Sequence, residues 1–518
     1  MKVDFFIKPS QVLSRTSGLV PEHHSVISQK PLTRRQLLMG MAGVGTALGV
    51  AACTRSGSLT GQAEVAAAES ARPTTGAVRT MTLNPRPVNI DLGGRIASTW
   101  AYGDTVPGKP LRATAGDRVQ VAVRNDLPES TSVHWHGLAI RNDMDGVPGV
   151  TTPAIDSGGT FDFDFVVPDP GTHWFHPHTG LQLDRGLYAP FIIDDPREPG
   201  DYDAEWVIVL DDWTDGIGQT PDQIYADLVA AGQDADSGRG MGMGGSGMGH
   251  GMMGDSGDVT YPMYLLNGRP GNDPETFTAK PGERVRLRII NAGADTIFTV
   301  ALADHRLRVT HTDGFPVRPV PTSAIRIGMG ERYDAVVDVS DGAFALVAEP
   351  LGKSGLARAI LRTSRSAPAP STRTRPAELD SYPLQVTALQ VSETAALPAI
   401  EPDSTQDVAL AGSMAPYVWT INGATHEHAT PLTITQGQTG RLRITNMSMM
   451  SHPLHLHGHT FQLGDAGGTG PRKDTLLIPP MGAANVDFAA DNPGQWMVHC
   501  HNAYHAEAGM MTRLDYTN

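Results

Sequence analysis

Cysteine is almost missing from this chain: Cys53 and Cys500 are the only two in 518 residues. A disulfide-stapled scaffold is excluded, neither thiol needs a disulfide partner, and another role such as metal binding has to be sought. Positive charge is also short, with 40 Lys and Arg against 55 Asp and Glu and a formal net charge of −15. That argues against nucleic acid as a partner, which needs a basic footprint, and favours accumulation of cations at the surface. Aromatic residues make up only 6% of the chain. The uncharged stretch 37–52 holds sixteen residues, short of the roughly 20 that a membrane-spanning helix needs.

That stretch suits the core of a targeting segment instead. It follows Thr33-Arg34-Arg35-Gln36-Leu37-Leu38, a twin-arginine pattern, and ends in Val50-Ala51-Ala52-Cys53, which matches a bacterial lipobox. Residues 1–52 are therefore expected to direct export of an already folded protein. A lipid on Cys53 would be its tie to the cell envelope; the alternative is a plain signal sequence cut near the alanines at 66–68. An extracytoplasmic monomer is expected.

What the chain does have is turn chemistry, with 57 Gly and 39 Pro. From about residue 78, short runs rich in Val, Ile, Thr and Leu alternate with Gly, Pro, Asn and Asp, as in 118–124 (RVQVAVR) and 284–290 (RVRLRII). Period-two alternation marks half-buried strands, so an all-β protein of sandwiches or barrels is expected. One phrase recurs three times about 160 residues apart, leading to Asn125, Asn291 and Asn446 and pointing to three copies of one β-domain. The segments 234–258, nearly all Gly, Met, Ser and Asp, and 364–376, rich in Pro, Ser, Thr and Arg, read as linkers. The expected order is a linker at 53–77, a first domain at 78–215, a linker at 216–254, a second domain at 255–363, a linker at 364–383, and a third domain at 384–518.

The chemistry lies in histidine. Ten of the 19 histidines fall in four clusters: His134-Trp135-His136, His176-Pro177-His178, His452 with His455 and His457, and His499-Cys500-His501 followed by His505. The middle domain has only His305 and His311, neither clustered. In a strand, residues i and i+2 share a face with Cβ atoms roughly 6–7 Å apart, so a His-x-His pair can hold one metal or bridge two. In His499-Cys500-His501 the imidazoles face one way and the thiolate the other, so one strand serves two centres. His452, offset by three from His455, can join Cys500. Two imidazoles, a thiolate and a weak axial thioether form a trigonal blue-copper site, and His452, Cys500, His505 and Met510 supply that set. Eight histidines remain (His134, His136, His176, His178, His455, His457, His499 and His501), enough for three further copper ions. Zinc, the main rival for His/Cys clusters, favours closed four-ligand sites.

These four motifs resemble those of the multicopper oxidases, which include laccases, ascorbate oxidase and bacterial cuprous oxidases; the resemblance runs from about 78 to 518. It implies three consecutive cupredoxin-like Greek-key domains, and four copper ions that couple one-electron oxidation of a substrate to the reduction of dioxygen to water. The blue (type 1) copper would lie in the third domain, with a trinuclear cluster between the first and third. By position, His134 and His455 match the ligands of the type 2 ion. His136, His176, His178, His457, His499 and His501 match those of the type 3 pair, and Cys500 the electron path. Asp145 matches an acid that serves proton delivery, with an Asp-Gly turn as the alternative reading. A second acid of bacterial relatives falls here on Ala506, with Glu507 next. Asp474 matches an acid near a blue-copper histidine, which it would orient if it does not merely cap a turn.

Two features bear on the reductant. The segment 241–253 carries Met241, Met243, Met248, Met252 and Met253, and soft thioethers select Cu(I). The second is Met447-Ser448-Met449-Met450, just before His452. In bacterial cuprous oxidases an Asp and a Met stand four and two residues before that histidine. Met450 matches the methionine, but Ser448 replaces the acid. The expected reductant is Cu(I), with Fe(II) next to it, in the service of copper resistance. Laccase-type oxidation of phenols and aryl amines is the alternative, and a non-catalytic copper store the outside possibility.

Overall fold

The computed structural model describes residues 61–517, apart from 199, 237–255, 399–400 and 465–467. The twin-arginine segment, Cys53 and the methionines of 241–253 lie outside the described residues. The described chain is mostly strand, with three helices, none long and apolar enough to cross a membrane.

Alternation in the sequence becomes burial in the fold. In Arg118–Arg124 the valines at 119, 121 and 123 are buried while Arg118, Ala122 and Arg124 face solvent. This strand lies between Val78–Leu83 and Thr160–Val166. A four-stranded sheet of the same region runs in the order Leu111–Thr114, Ala189–Asp194, Gly171–His176, His134–His136. The middle region has a seven-stranded and a five-stranded sheet, and the C-terminal region a six-stranded and a five-stranded sheet. The last runs Leu432–Thr435, Met511–Thr517, Gln495–Cys500, His452–Leu456, Thr475–Ile478.

The threefold phrase has a structural cause. Asn125, Asn291 and Asn446 each accept a backbone N–H two residues ahead, from Leu127, Gly293 and Ser448. Each donates its amide to a carbonyl four or five residues ahead (Glu129, Thr296, Met450) and to one on a distant segment (Ile155, Ile327, Ile478), Asn446 reaching Pro479 as well. One side chain thus pins the same loop in all three regions, an Asx-type turn that backbone alone would not hold. In the first and third copies that loop leads to His134 and His452.

Three expectations of domain layout change. Strand Ala204–Trp213, expected inside a first domain ending at 215, pairs with Met263–Leu266 and Arg284–Asn291 in the middle sheet. Its continuous apolar run 206–210 suits a fully buried strand of either region, so only tertiary pairing decides. The expected linker 216–254 contains the helix Pro221–Asp236. Thr220 Oγ1 accepts the Gln223 N–H and Gln223 Oε1 accepts the Thr220 N–H. That capping box, followed by proline in the first turn, starts the helix, and Ile224, Tyr225, Leu228 and Val229 pack on the core. Likewise Gln62–Ser70 is helical within the expected 53–77 linker.

Candidate copper centres

Strand register builds the first cluster. His134 stands opposite His176, and His455 opposite His499. Imidazoles from the two regions then meet: His134 stacks on His457 with ring centroids 3.7 Å apart, and His136 on His455 at 3.8 Å. Three ligand-competent groups result: His134 with His455 (and His136), His136 with His176 and His501, and His178 with His457 and His499. Within them His501 Nε2 lies 3.4 Å from His176 Nε2, and His499 Nε2 lies 3.3 Å from His178 Nε2 and 3.0 Å from His457 Nε2. All eight expected histidines are brought together, with His136 shared by two of the groups.

The other face of the same strand makes the second centre. Cys500 Sγ lies 3.6 Å from His452 Nδ1 and 3.8 Å from His505 Nδ1, and the two nitrogens are 3.1 Å apart. Met510 is fully buried; its backbone carbonyl accepts the Cys500 N–H and its N–H binds the His505 carbonyl. Behind each imidazole stands an oxygen that fixes its tautomer. His452 Nε2–H donates to Ser448 Oγ at 2.7 Å, the serine hydroxyl being spent on Asn446 Oδ1. His505 Nε2–H donates to Asp258 Oδ2 at 3.0 Å. Both Nδ1 atoms are left for a metal.

Two observations test whether these residues fit a metal. Buried His134 Nε2, His455 Nε2, His136 Nδ1 and His501 Nδ1 have no hydrogen-bond partner, an arrangement a fold without ligand would pay for. Burial, reinforced by neighbouring imidazoles, also holds His136, His176, His178, His457, His499 and His501 well below the ordinary histidine range. Neutral imidazole is the form that ligates. At His505 burial acts in the same direction, but the Asp258 carboxylate outweighs it and raises the ring to about 10.

The middle region, without clustered histidines, braces the eight-histidine site. Arg332 and Asp474, both fully buried, pair through two bonds of 2.7 and 2.6 Å. Asp474 Oδ1 lies 3.1 Å from His136 Nε2, and its backbone carbonyl 2.9 Å from His455 Nδ1. Burial alone would raise the Asp474 carboxyl; Arg332 holds it well below the usual range. Asp313 accepts from Lys473 Nζ and from the backbone of Asp474, Thr475 and Arg332, and Lys473 also pairs with Glu331. Gly330 (φ +82°) leaves room for the His501 ring, which a Cβ there would meet at 2.8 Å.

Asp474 is thus not the partner of a blue-copper histidine, nor exposed to a substrate. Register explains it: His452 pairs with Ile478 but His455 with Thr475, so Asp474 falls at the eight-histidine end of the strand. Asp145 is buried between His134 and His457, with carboxylate oxygens 3.2 and 3.0 Å from their Nδ1 atoms. Glu507 is exposed, away from that buried site. Met450 is half-buried against the core. Sequence reading missed Asp258, Arg332, Gly330 and Trp419, which stacks on His505 at 4.0 Å.

Comparison with known proteins agrees with this geometry. Residues 86–198, 204–366 and 400–518 each match a family described as multicopper oxidase. Multicopper oxidase MmcO of Mycobacterium tuberculosis is 50% identical over 481 residues, 92% of this chain and 95% of that protein. A copper resistance protein A homolog of Pseudomonas syringae pv. tomato is 29% identical, covering 84% of this chain and 91% of its own. Among solved structures, a laccase from Botrytis aclada superposes with a TM-score of 0.72 at 27% identity, over 86% of this chain and 89% of that one. The chain belongs to the multicopper oxidases, copper-dependent oxidoreductases of cupredoxin-like domains that use oxygen as acceptor.

Proposed function

We propose that this enzyme oxidises Cu(I), with Fe(II) as a second donor, using four copper ions: one type 1, one type 2 and a type 3 pair. Copper, when bound, supplies one-electron redox steps and the site at which dioxygen is reduced to water. The chain's own groups do the rest. His452, Cys500, His505 and Met510 would hold the type 1 ion, and the peptide and side chain of Cys500 connect it to His499 and His501. His134 and His455 would hold the type 2 ion and the remaining six histidines the pair. Asp145, within hydrogen-bond reach of His134 and His457, would orient these rings and serve proton delivery beside the cluster.

The observation that carries the substrate is a set of exposed methionines next to the type 1 ligands. Met447, Met449 and Met481 are 62%, 71% and 66% exposed, although methionine is a core-filling residue. They sit on two turns joined by the Met481 N–H to Ser448 carbonyl bond, and Ser448 touches His452. Thioethers so placed suit a soft monovalent ion. The described residues flanking 241–253 lead to the same end of the molecule: Tyr225 reaches the Glu507 carbonyl and Asp258 reaches His505. The names of the copper-resistance relatives point the same way. Oxygen uptake with Cu(I), Fe(II) and a small phenol tests the reading. Replacing Met447, Met449 and Met481 by Leu, or deleting 239–254, should depress turnover of Cu(I) but not of the phenol. Unchanged Cu(I) turnover in both overturns it in favour of a laccase.

We also propose export by the twin-arginine route and a lipid anchor at Cys53. Cys53→Ser should release the enzyme from the membrane fraction; a wild-type protein found wholly soluble defeats the anchor.

A further inference from the structure

Aromatic rings are scarce in this chain, yet three of them line up outward from a type 1 ligand. Trp419 stacks on His505, with centroids 4.0 Å apart and planes at 29°, and meets His452 edge-on at 5.1 Å. Tyr417 shares its strand face two residues away, 6.4 Å from Trp419 and nearly perpendicular to it. Tyr225, on the helix Pro221–Asp236, lies 6.2 Å beyond Tyr417. Exposure rises outward: Trp419 and Tyr417 are 2% and 4% exposed, and Tyr225 is partly open to solvent. The helix is seated closely, since a Cβ on Gly232 would come within 2.6 Å of the Tyr417 nitrogen.

We propose that Tyr225, Tyr417 and Trp419 form a relay that carries electrons from a donor at the protein surface to the centre held by His452, Cys500 and His505; the inference rests on the type 1 reading above. Electron tunnelling decays steeply with distance, and a chain of oxidisable rings replaces one long step by short ones. In each passage the donor loses one electron and the type 1 centre gains it, four passages matching one dioxygen. Tyr417 donates its hydroxyl to Asp258 Oδ2 at 2.8 Å, so its proton moves along that bond when the ring is oxidised and returns on reduction. The Tyr225 proton exchanges with solvent at the surface. Beside Tyr225 the exposed Glu507, whose carbonyl accepts the Tyr225 hydroxyl, and Asp222, paired with Arg185, favour neutral or cationic over anionic donors. The relay therefore suits bulky organic one-electron donors, such as aryl amines, that are too large to approach the type 1 ligands themselves.

The test uses the copper-loaded enzyme and its Tyr225→Phe, Tyr417→Phe and Tyr225→Trp variants. Enzyme carrying only three reducing equivalents is mixed with dioxygen without donor, so that the rings must supply the fourth electron, then freeze-quenched for electron paramagnetic resonance and in parallel treated with a radical trap and mapped by mass spectrometry. A tyrosyl signal and a trap adduct on Tyr225 are expected in the wild type. Both the signal and that adduct should disappear in Tyr417→Phe, although Tyr225 is intact there. With dextran-bound cationic ferrocene against the same ferrocene free in solution, the bound-to-free rate ratio should fall about tenfold in both Phe variants. Tyr225→Trp, which keeps an oxidisable ring, should restore it. An adduct on Tyr225 that persists in Tyr417→Phe, or a ratio equal in all four proteins, overturns the relay. A copper-loaded wild type without blue absorption would overturn the type 1 reading beneath it.

Discussion

The two centres share the strand Gln495–Cys500 and are held in opposite ways. Cys500, Met510, Trp419 and Tyr504 belong to the continuous apolar core, and around the thiol the polar contribution is one oxygen behind each imidazole, Ser448 and Asp258. The eight histidines are instead backed by buried charge: Arg332, Asp474, Asp313, Lys473 and Glu331 form one network with almost no exposure. The first arrangement leaves geometry to packing, the second to electrostatics. A charge network is rigid only while it is complete, since an unpaired buried charge is expensive. An apolar wall yields by degrees.

The largest separation of the two should come from Cys500→Ser. Removing the thiolate takes away both the proposed type 1 ligand and the covalent connection to His499 and His501. Expected are loss of the intense blue absorption and of oxidation of every donor, with copper still bound by the histidines. Absorption spectra, metal analysis and oxygen uptake check this, and retained oxidation would defeat the electron path through Cys500.

Breaking the charge network should do the reverse. Arg332→Met leaves Asp474 buried without its guanidinium, a loss of about 3–5 kcal/mol for a broken buried pair. Thermal unfolding should register that loss. Copper should leave the eight-histidine site, whose His136 and His455 hang on Asp474, while the blue absorption persists. Adding Asp474→Asn removes the stranded charge and should recover part of the stability but not the copper. Equal loss of blue and histidine-bound copper would mean that the centres are not held independently.

The same contrast decides what the sequence could disclose. The convergence of the histidines was legible because period-two geometry forces His-x-His onto one face and His-Cys-His onto two. The threefold repeat was legible because Asn125, Asn291 and Asn446 do one local job three times. The braces were not. Arg332 meets Asp474 across 142 residues and Asp258 meets His505 across 247, and no local pattern encodes such pairings. Asp474 drew notice as an acid, but its side of the site depends on a strand register that only the fold fixes. The helix Pro221–Asp236 is a different omission: Thr220, Pro221 and Gln223 are a start signal overshadowed by the low-complexity stretch after it.

Ser448 offers the finest comparison. Its hydroxyl accepts from His452 Nε2 much as Asp258 accepts from His505, but without a charge. Ser448→Ala should cost about 1 kcal/mol, the usual net worth of a neutral hydrogen bond, because the apolar wall still confines the ring. The blue band should shift slightly and the copper remain. Asp258→Ala should be the more damaging change, since it strips a charge-assisted bond from a fully buried imidazole and also releases Tyr417. Titration of copper into the two apo variants measures the difference. A Ser448→Ala loss as large as that of Asp258→Ala would show that the second imidazole, too, is held by its hydrogen bond rather than by packing, and the contrast between the centres would narrow to the charge network alone.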